Sequence, residues 1–224
     1  MVFAVYIEGM NSSEFGALLA LATATSFTPG PNTTLSTALA ANFGLRHALR
    51  FVLAVPVGWT LLLTLCAAGV GALVLALPLL RGAILVGGVA YLLWLAWRLA
   101  GSRTLSNVSA ASLNVTFARG IGLQFLNIKA WMLALSIVAG WIAGQPDAWQ
   151  RYLQVVPVMV FFALTSNLAY AWVGSVLRHW LAGPLVDGQP SGRRLQVFNR
   201  CMALALVLTA GWMLVSGLGG TGSQ

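Results

Sequence analysis

Charge is what this sequence has least of. Of 224 residues, 12 are Lys or Arg and 4 are Asp or Glu, together 7%, where a soluble domain carries about a quarter. So few charges cannot clothe a water-soluble globule. With 59% hydrophobic residues and a mean hydropathy of +0.86, most of the surface must face lipid, and the chain is an integral membrane protein. Acids are scarcest of all: Glu8, Glu14, Asp147 and Asp187 fall outside the long apolar runs. Histidine occurs twice, as His47 beside Arg46 and His179 beside Arg178, both at the ends of runs. The two cysteines, Cys66 and Cys201, lie inside runs and read as small packing residues. A metal centre needs clustered His, Cys, Asp or Glu, and acid–base catalysis needs positioned titratable pairs. Neither pattern is present, so no metal, no cofactor and no enzyme chemistry are expected.

The charges that remain are mostly arginine, and their placement carries information. A net charge of +8 would suggest nucleic acid in a soluble protein. Here the arginines punctuate apolar runs and read as topology signals. Apolar stretches long enough to cross a bilayer, with few or no charges and those mostly near their ends, number six, at about 15–41, 51–77, 79–99, 117–142, 153–177 and 201–218. Backbone groups in lipid must bond internally, so these spans are helices and the fold class is all-α. The second and third spans meet in a hairpin at Pro78 and Arg81. A polar stretch at 101–116, rich in Ser, Asn and Thr, reads as the loop joining two three-helix halves, about 15–100 and 117–218, of one transmembrane domain covering 1–224. The odd-numbered loops hold nine arginines, the even loops Arg81 and Arg151, and a span holds Lys129. The enrichment of basic residues in cytoplasmic loops then places the odd loops inside and both termini outside. The start of the chain has no basic residue before its first apolar run, unlike a signal peptide, and Met10 is a second candidate initiator beside Met1.

Two segments stand out within the spans. In Phe27-Thr28-Pro29-Gly30-Pro31-Asn32-Thr33-Thr34, two prolines flank a glycine, which removes amide donors and stops a helix near mid-membrane. Irregular backbone at that depth is tolerated only where protein or a water-filled cavity covers it. Pro31 onward opens a second half-helix whose leading N–H groups attract an anion; a simple proline kink is the plainer reading. In Leu123-Gln124-Phe125-Leu126-Asn127-Ile128-Lys129-Ala130, Lys129 is the one charge far from either end of a span, and intramembrane charges are functional candidates. Snorkelling to the inner interface is the competing explanation. Both segments occupy the first helix of a three-helix half. Three helices is an odd number, so a repeat of that unit inserts upside down, the 3+3 inverted plan of secondary transporters with a broken first helix. Asn167, mid-way along the fifth span, is as suited to a helix–helix hydrogen bond as to a ligand. Trp94, Trp97, Trp149 and Trp180 sit near span ends, as an interfacial belt requires. Trp59, Trp131, Trp172 and Trp212 lie deeper, as packing or lipid-facing residues, with a ligand-facing role open for one or two. Gly16/Ala20 and Gly140/Gly144 have the small-xxx-small spacing of closely packed helices, and such faces are compatible with a homodimer.

At these segments the sequence resembles the lysine-exporter/homoserine–threonine-resistance family of bacterial amino-acid exporters. The resemblance rests on Thr28-Pro29-Gly30-Pro31-Asn32, on Gly44 and Arg46, and on Asn127 with Lys129, and it follows the family's segment order along nearly the whole chain. Ile128 stands where the family more often carries proline. Gln124-Phe125-Leu126-Asn127-Ile128-Lys129 and Tyr91-Leu92-Leu93-Trp94-Leu95-Ala96-Trp97-Arg98 are most similar to the cysteine/O-acetylserine exporter branch, which also lacks that proline. The resemblance implies a multi-pass exporter of the bacterial inner membrane, driven by proton antiport.

The residues also suggest a substrate class. A zwitterion needs donors for its carboxylate and acceptors for its ammonium. The donors would be the amides after Pro31, the side chain of Asn32 and Lys129. The acceptors would be carbonyls freed at Pro29 and Pro31, or an aromatic face such as Trp59 or Trp172. Without an intramembrane Asp or Glu, nothing holds a second cationic group, which favours small neutral amino acids over lysine or arginine. The expected substrate-binding set is therefore Pro29, Gly30, Pro31, Asn32, Thr33, Asn127, Lys129 and Asn167. For a coupling proton, the candidates are Lys129 and His47. A channel or a non-transporting scaffold is the alternative, although a scaffold has no use for a broken helix.

Overall fold

The computed structural model describes residues 9–101, 115–186 and 189–219. Met1, most of the polar loop and the extreme C-terminus lie outside the described residues. Nine helices account for nearly all of what is described: α1 Ser12–Phe27, α2 Pro31–Phe43, α3 Leu45–Ala67, α4 Val70–Ala76, α5 Pro78–Ala100, α6 Phe117–Phe125, α7 Ile128–Ile137, α8 Ala148–Ala182 and α9 Arg193–Gly219. A short π-helical stretch, Val138–Ile142, continues α7. The only strands among the described residues are the two-residue pair β1 Leu185–Val186 and β2 Gln189–Pro190.

Among the described residues, four helices are long and apolar enough to cross a bilayer unaided: α3, α5, α8 and Arg193–Val215 of α9. The pair Phe117–Phe125 and Ile128–Ile142, bent by 66° at its break, is long and apolar enough for a fifth if the two helices are taken as one span. The expected first span is two helices of 16 and 13 residues, each shorter than the roughly 20 residues a bilayer requires. The expected second span, 51–77, also differs. It begins earlier, at Leu45, and ends at Ala67, because Gly69 takes a left-handed conformation (φ 96°) that leads into the separate helix α4. Conversely α8 is longer than 153–177. Its 35 residues extend about 52 Å, so its ends project beyond the hydrocarbon. Arg151, expected in a loop, sits buried in its first turns, paired with Glu14 at 3.0 Å and Asp147 at 2.9 Å.

The helix ends follow local chemistry. Asn11 and Glu14 form a reciprocal capping box at the start of α1, at 2.9 Å each way. Pro31 opens α2 at its first position, where the missing N–H costs nothing. α2 is the hub of the molecule, with eleven of its 13 residues buried. It packs against α3, α8 and α9, while α3 packs on α8 and α5 on α9. Apolar residues on the outer faces confirm lipid as the solvent: Leu79 is 88% exposed, Val215 74% and Leu208 65%.

Close helix approach occurs at glycines other than the ones expected. A side chain at Gly16, Gly140 or Gly144 would meet open space. The tight contacts are instead at Gly58 and Gly120, which let α3 and α6 interlock, at Gly174 against the Thr37 carbonyl of α2, and at Gly88 against the Leu126 carbonyl. The small-xxx-small pattern failed because spacing along one helix does not specify which face meets a neighbour.

Candidate functional site

The two breaks meet. A cavity of about 540 Å³, counted to its open mouth, is walled by the end of α1, the start of α2, the start of α7, and facing stretches of α3 and α8. Seven of the eight expected binding residues line it: Gly30, Pro31, Asn32, Thr33, Asn127, Lys129 and Asn167. Pro29 does not, and neither does His47, which lies in the first turn of α3. Val55, Trp59, Met159 and Ala163 supply much of the apolar wall.

The roles of these side chains differ from a simple reading of the motif. Pro29 lacks the N–H that would have bonded the Thr25 carbonyl one turn back, and Pro31 likewise leaves the Phe27 carbonyl. Lys129 donates from Nζ to the Thr25 carbonyl at 3.1 Å and to the Thr28 carbonyl at 3.3 Å. The Tyr170 hydroxyl donates to the Phe27 carbonyl at 3.0 Å. Carbonyls expected to receive a substrate ammonium are thus taken by the protein's own donors. A cation at the C-terminal end of a helix is also favoured by the helix dipole. An ammonium has three N–H groups, so two carbonyl bonds leave Lys129 one more, and a side chain at Gly30 would come within 3.4 Å of its Nζ.

Asn32 is likewise engaged. Its Nδ2 donates to Gln124 Oε1 at 2.9 Å and its Oδ1 accepts from Gln124 Nε2 at 3.2 Å, while Nε2 also reaches the Gly120 carbonyl at 3.3 Å. Gln124 is fully buried and was not among the expected site residues. A polar residue three before Asn127 in an apolar run was the available signal. Asn167 accepts from Ser36 Oγ at 2.9 Å and donates to the Ala163 carbonyl at 2.8 Å, the helix–helix bond that was one of its two readings. Thr33 caps α2, its Oγ1 accepting from the Gly30 amide at 2.9 Å. Trp59 is 5% exposed and its buried indole N–H has no acceptor among the described residues. Trp172, the other aromatic considered for an ammonium, is 60% exposed and faces outward.

The break in the fourth expected span forms without a proline. Asn127 leaves the helix (φ −93°, ψ 98°) and its side chain accepts from the Lys129 amide at 3.1 Å, capping α7. Trp131 Nε1 donates to the Phe125 carbonyl at 2.9 Å, closing the end of α6. Gly88 makes room for the Leu126 carbonyl against α5. Cap, indole and glycine together do what proline does by subtraction.

The Asn32–Gln124 pair has a measurable consequence. Gln124→Leu removes both bonds to the half-buried Asn32 amide, at a cost of about 1 kcal/mol, the net value of a typical hydrogen bond. Its Tm in detergent is expected to fall by several degrees, with partial recovery in the double variant Asn32→Leu/Gln124→Leu. An unchanged Tm for Gln124→Leu would mean the pair contributes nothing.

The cysteine/O-acetylserine efflux proteins of Salmonella typhimurium and Escherichia coli K12 are 27% and 26% identical to this chain over 190 and 186 residues, covering 83% of this chain and 90% of each relative. No solved structure matches the chain at a significant level. The LysE type translocator family matches residues 23–217, a range that contains both helix breaks and the whole cavity wall, and the chain belongs to that family.

Proposed function

We propose that this protein exports small neutral amino acids or their derivatives, of the cysteine/O-acetylserine or threonine/homoserine type, across the bacterial inner membrane in exchange for protons. The observation that carries the reading is the cavity at the two helix breaks, which offers the Lys129 ammonium and the leading amides of α2 to a carboxylate. Among the described residues no Asp or Glu lines it, and Glu14 and Asp147 are engaged by Arg151. A substrate with a second positive charge would therefore enter uncompensated, at a cost that favours neutral side chains. The apolar wall of Val55, Met159 and Ala163 suits a short side chain.

The same reading takes α1 with α2 as one broken crossing, for six spans in a 3+3 inverted repeat with both termini outside. Support comes from the contacts at the breaks. Asn32, second residue of α2, bonds the end of α6, and Lys129, second residue of α7, bonds the end of α1. The pairings of α3 with α8 and α5 with α9 are those of equivalent helices in two such halves. On this reading Lys129, which lines the cavity where His47 does not, carries the proton.

The test is efflux from cells preloaded with amino acids through dipeptides, followed by mass spectrometry, and counterflow in liposomes. Cysteine, O-acetylserine or threonine is expected to leave at least tenfold faster than from empty-vector cells, with lysine unaffected. Preferential transport of lysine would overturn the substrate class, and conduction without saturation or counterflow would identify a channel.

A further inference from the structure

The first helix is only lightly anchored in the bundle. Two of its 16 residues, Leu18 and Ala22, are buried, against eleven of 13 in α2. The break at Pro29-Gly30-Pro31 separates α1 from α2, so α1 can tilt as a unit without unwinding its neighbour. Its inner end is held by Lys129 and Tyr170 at the Thr25, Thr28 and Phe27 carbonyls. Its other end is held by charge. Arg151 of α8 donates to Glu14 from Nη1 at 3.0 Å and from Nη2 at 3.4 Å, and to Asp147 from Nε at 2.9 Å. The Trp141 indole N–H donates to the Glu14 carbonyl at 3.1 Å, and Tyr152 of α8 meets Thr64 of α3 at 2.6 Å. Between this polar rim and the cavity lies a closed apolar layer. Leu18 and Ala22 on α1, Leu63 and Cys66 on α3, Ile137 on α7 and Val155 on α8 belong to it, and none is more than 3% exposed. Along α1 the order is Thr25 in the cavity wall, then Ala22 and Leu18, then Glu14. Along α8 it is Met159, then Val155, then Arg151, the eight residues from Met159 to Arg151 spanning about 12 Å.

Resting on the exporter reading above, we propose that α1 is the outer gate of the transport path, latched to α8 by the Glu14–Arg151 pair and swinging about the break at Pro29 to release substrate. The opposite ends of α3 and α8 carry Arg46, Arg50 and Arg178, so the charge rule puts the rim at the outer face. The chemistry suits a latch that opens repeatedly. The Glu14 side chain is 32% exposed, so parting the pair returns its carboxylate to water. Arg151 is not left as an uncompensated charge, because Asp147 lies one turn earlier and stays with α8. Only two buried side chains leave the apolar layer with α1, and elements with few buried contacts are the ones that open most readily.

Two measurements on full-length protein test this. In Cys201→Ser protein, the native Cys66 is the sole thiol and sits in the apolar layer. A membrane-impermeant methanethiosulfonate is expected to label it at least fivefold faster in right-side-out vesicles when Glu14→Gln is added, with no change in inside-out vesicles. Separately, Glu14→Cys/Arg151→Cys protein carrying Cys66→Ala and Cys201→Ser is bridged by a bifunctional methanethiosulfonate. O-acetylserine efflux is expected before bridging, with a fall of at least tenfold after it and recovery on reduction. Equal Cys66 labelling with and without Glu14→Gln, faster labelling from both faces, efflux lost before bridging, or efflux undiminished by complete bridging each overturns the gate. These results leave the exporter reading standing. No efflux of O-acetylserine by the unsubstituted protein overturns the exporter reading, and the gate with it.

Discussion

Lys129→Ala is expected to reduce amino-acid efflux to the empty-vector level while the protein still inserts in the membrane at wild-type amounts. The loss should be this large because Lys129 is the only charged residue among the described residues of the cavity wall, and it does two things at once. Its Nζ closes the Thr25 and Thr28 carbonyls that the proline break leaves at the end of α1, and it presents positive charge where a carboxylate would bind. Folding should survive, because the carbonyls face an open cavity in which water can replace the ammonium at a cost of about 1–2 kcal/mol, the modest net value of a hydrogen bond. Lys129→Arg separates charge from proton transfer: it keeps the charge, but on a guanidinium that does not deprotonate. Export below a tenth of wild type in Lys129→Arg, with binding of O-acetylserine retained, is the expected pattern. Efflux by Lys129→Ala that still responds to an imposed pH gradient would remove Lys129 from the coupling mechanism.

The second large effect is structural. Gly174→Val should lower the Tm in detergent by more than 10 °C or prevent recovery of folded protein. At Gly174 the backbone of α8 rests against the Thr37 carbonyl of α2, with no space for a β-carbon. Backbone cannot yield as a flexible side chain can, and forced overpacking costs about 1–3 kcal/mol even in cores able to adjust. This contact lies in the hub helix, beside the Ser36–Asn167 bond, so any displacement of α8 also loosens the cavity wall. Gly122→Ala is the control. It has nothing within 4 Å of the added carbon, and replacing a helical glycine by alanine should be neutral or slightly stabilising. Equal Tm values for the two variants would show that α2 and α8 are not in tight contact.

The double proline shows how far a local signal can be read. Pro29 and Pro31 act on their own chain, by withholding two N–H groups, so the end of α1 and the start of α2 are visible in sequence. What becomes of the released carbonyls is a matter of neighbours. Lys129 and Tyr170, more than 100 residues away in sequence, supply the donors, and no spacing rule reaches that far. The break before Ile128 gives the opposite lesson: no residue there forbids a helix, and the bend of 66° depends on Asn127, Trp131 and a glycine on another helix. The failed glycine pairs have the same cause, since a small residue permits close approach without specifying which helix approaches.

By itself the sequence determined the solvent, because 16 charges on 224 residues leave lipid as the only medium for the surface. It also determined the helical class, since backbone in lipid must bond within its own segment, and the place of one break, since proline acts locally. Tertiary structure alone decided that the two breaks face each other, that Asn32 and Lys129 are held by the opposite half of the chain, and that Gln124 is the partner of Asn32. Those outcomes depend on which faces of α2, α3, α7 and α8 come together. That choice is made by close packing and by buried polar groups seeking partners across the bundle.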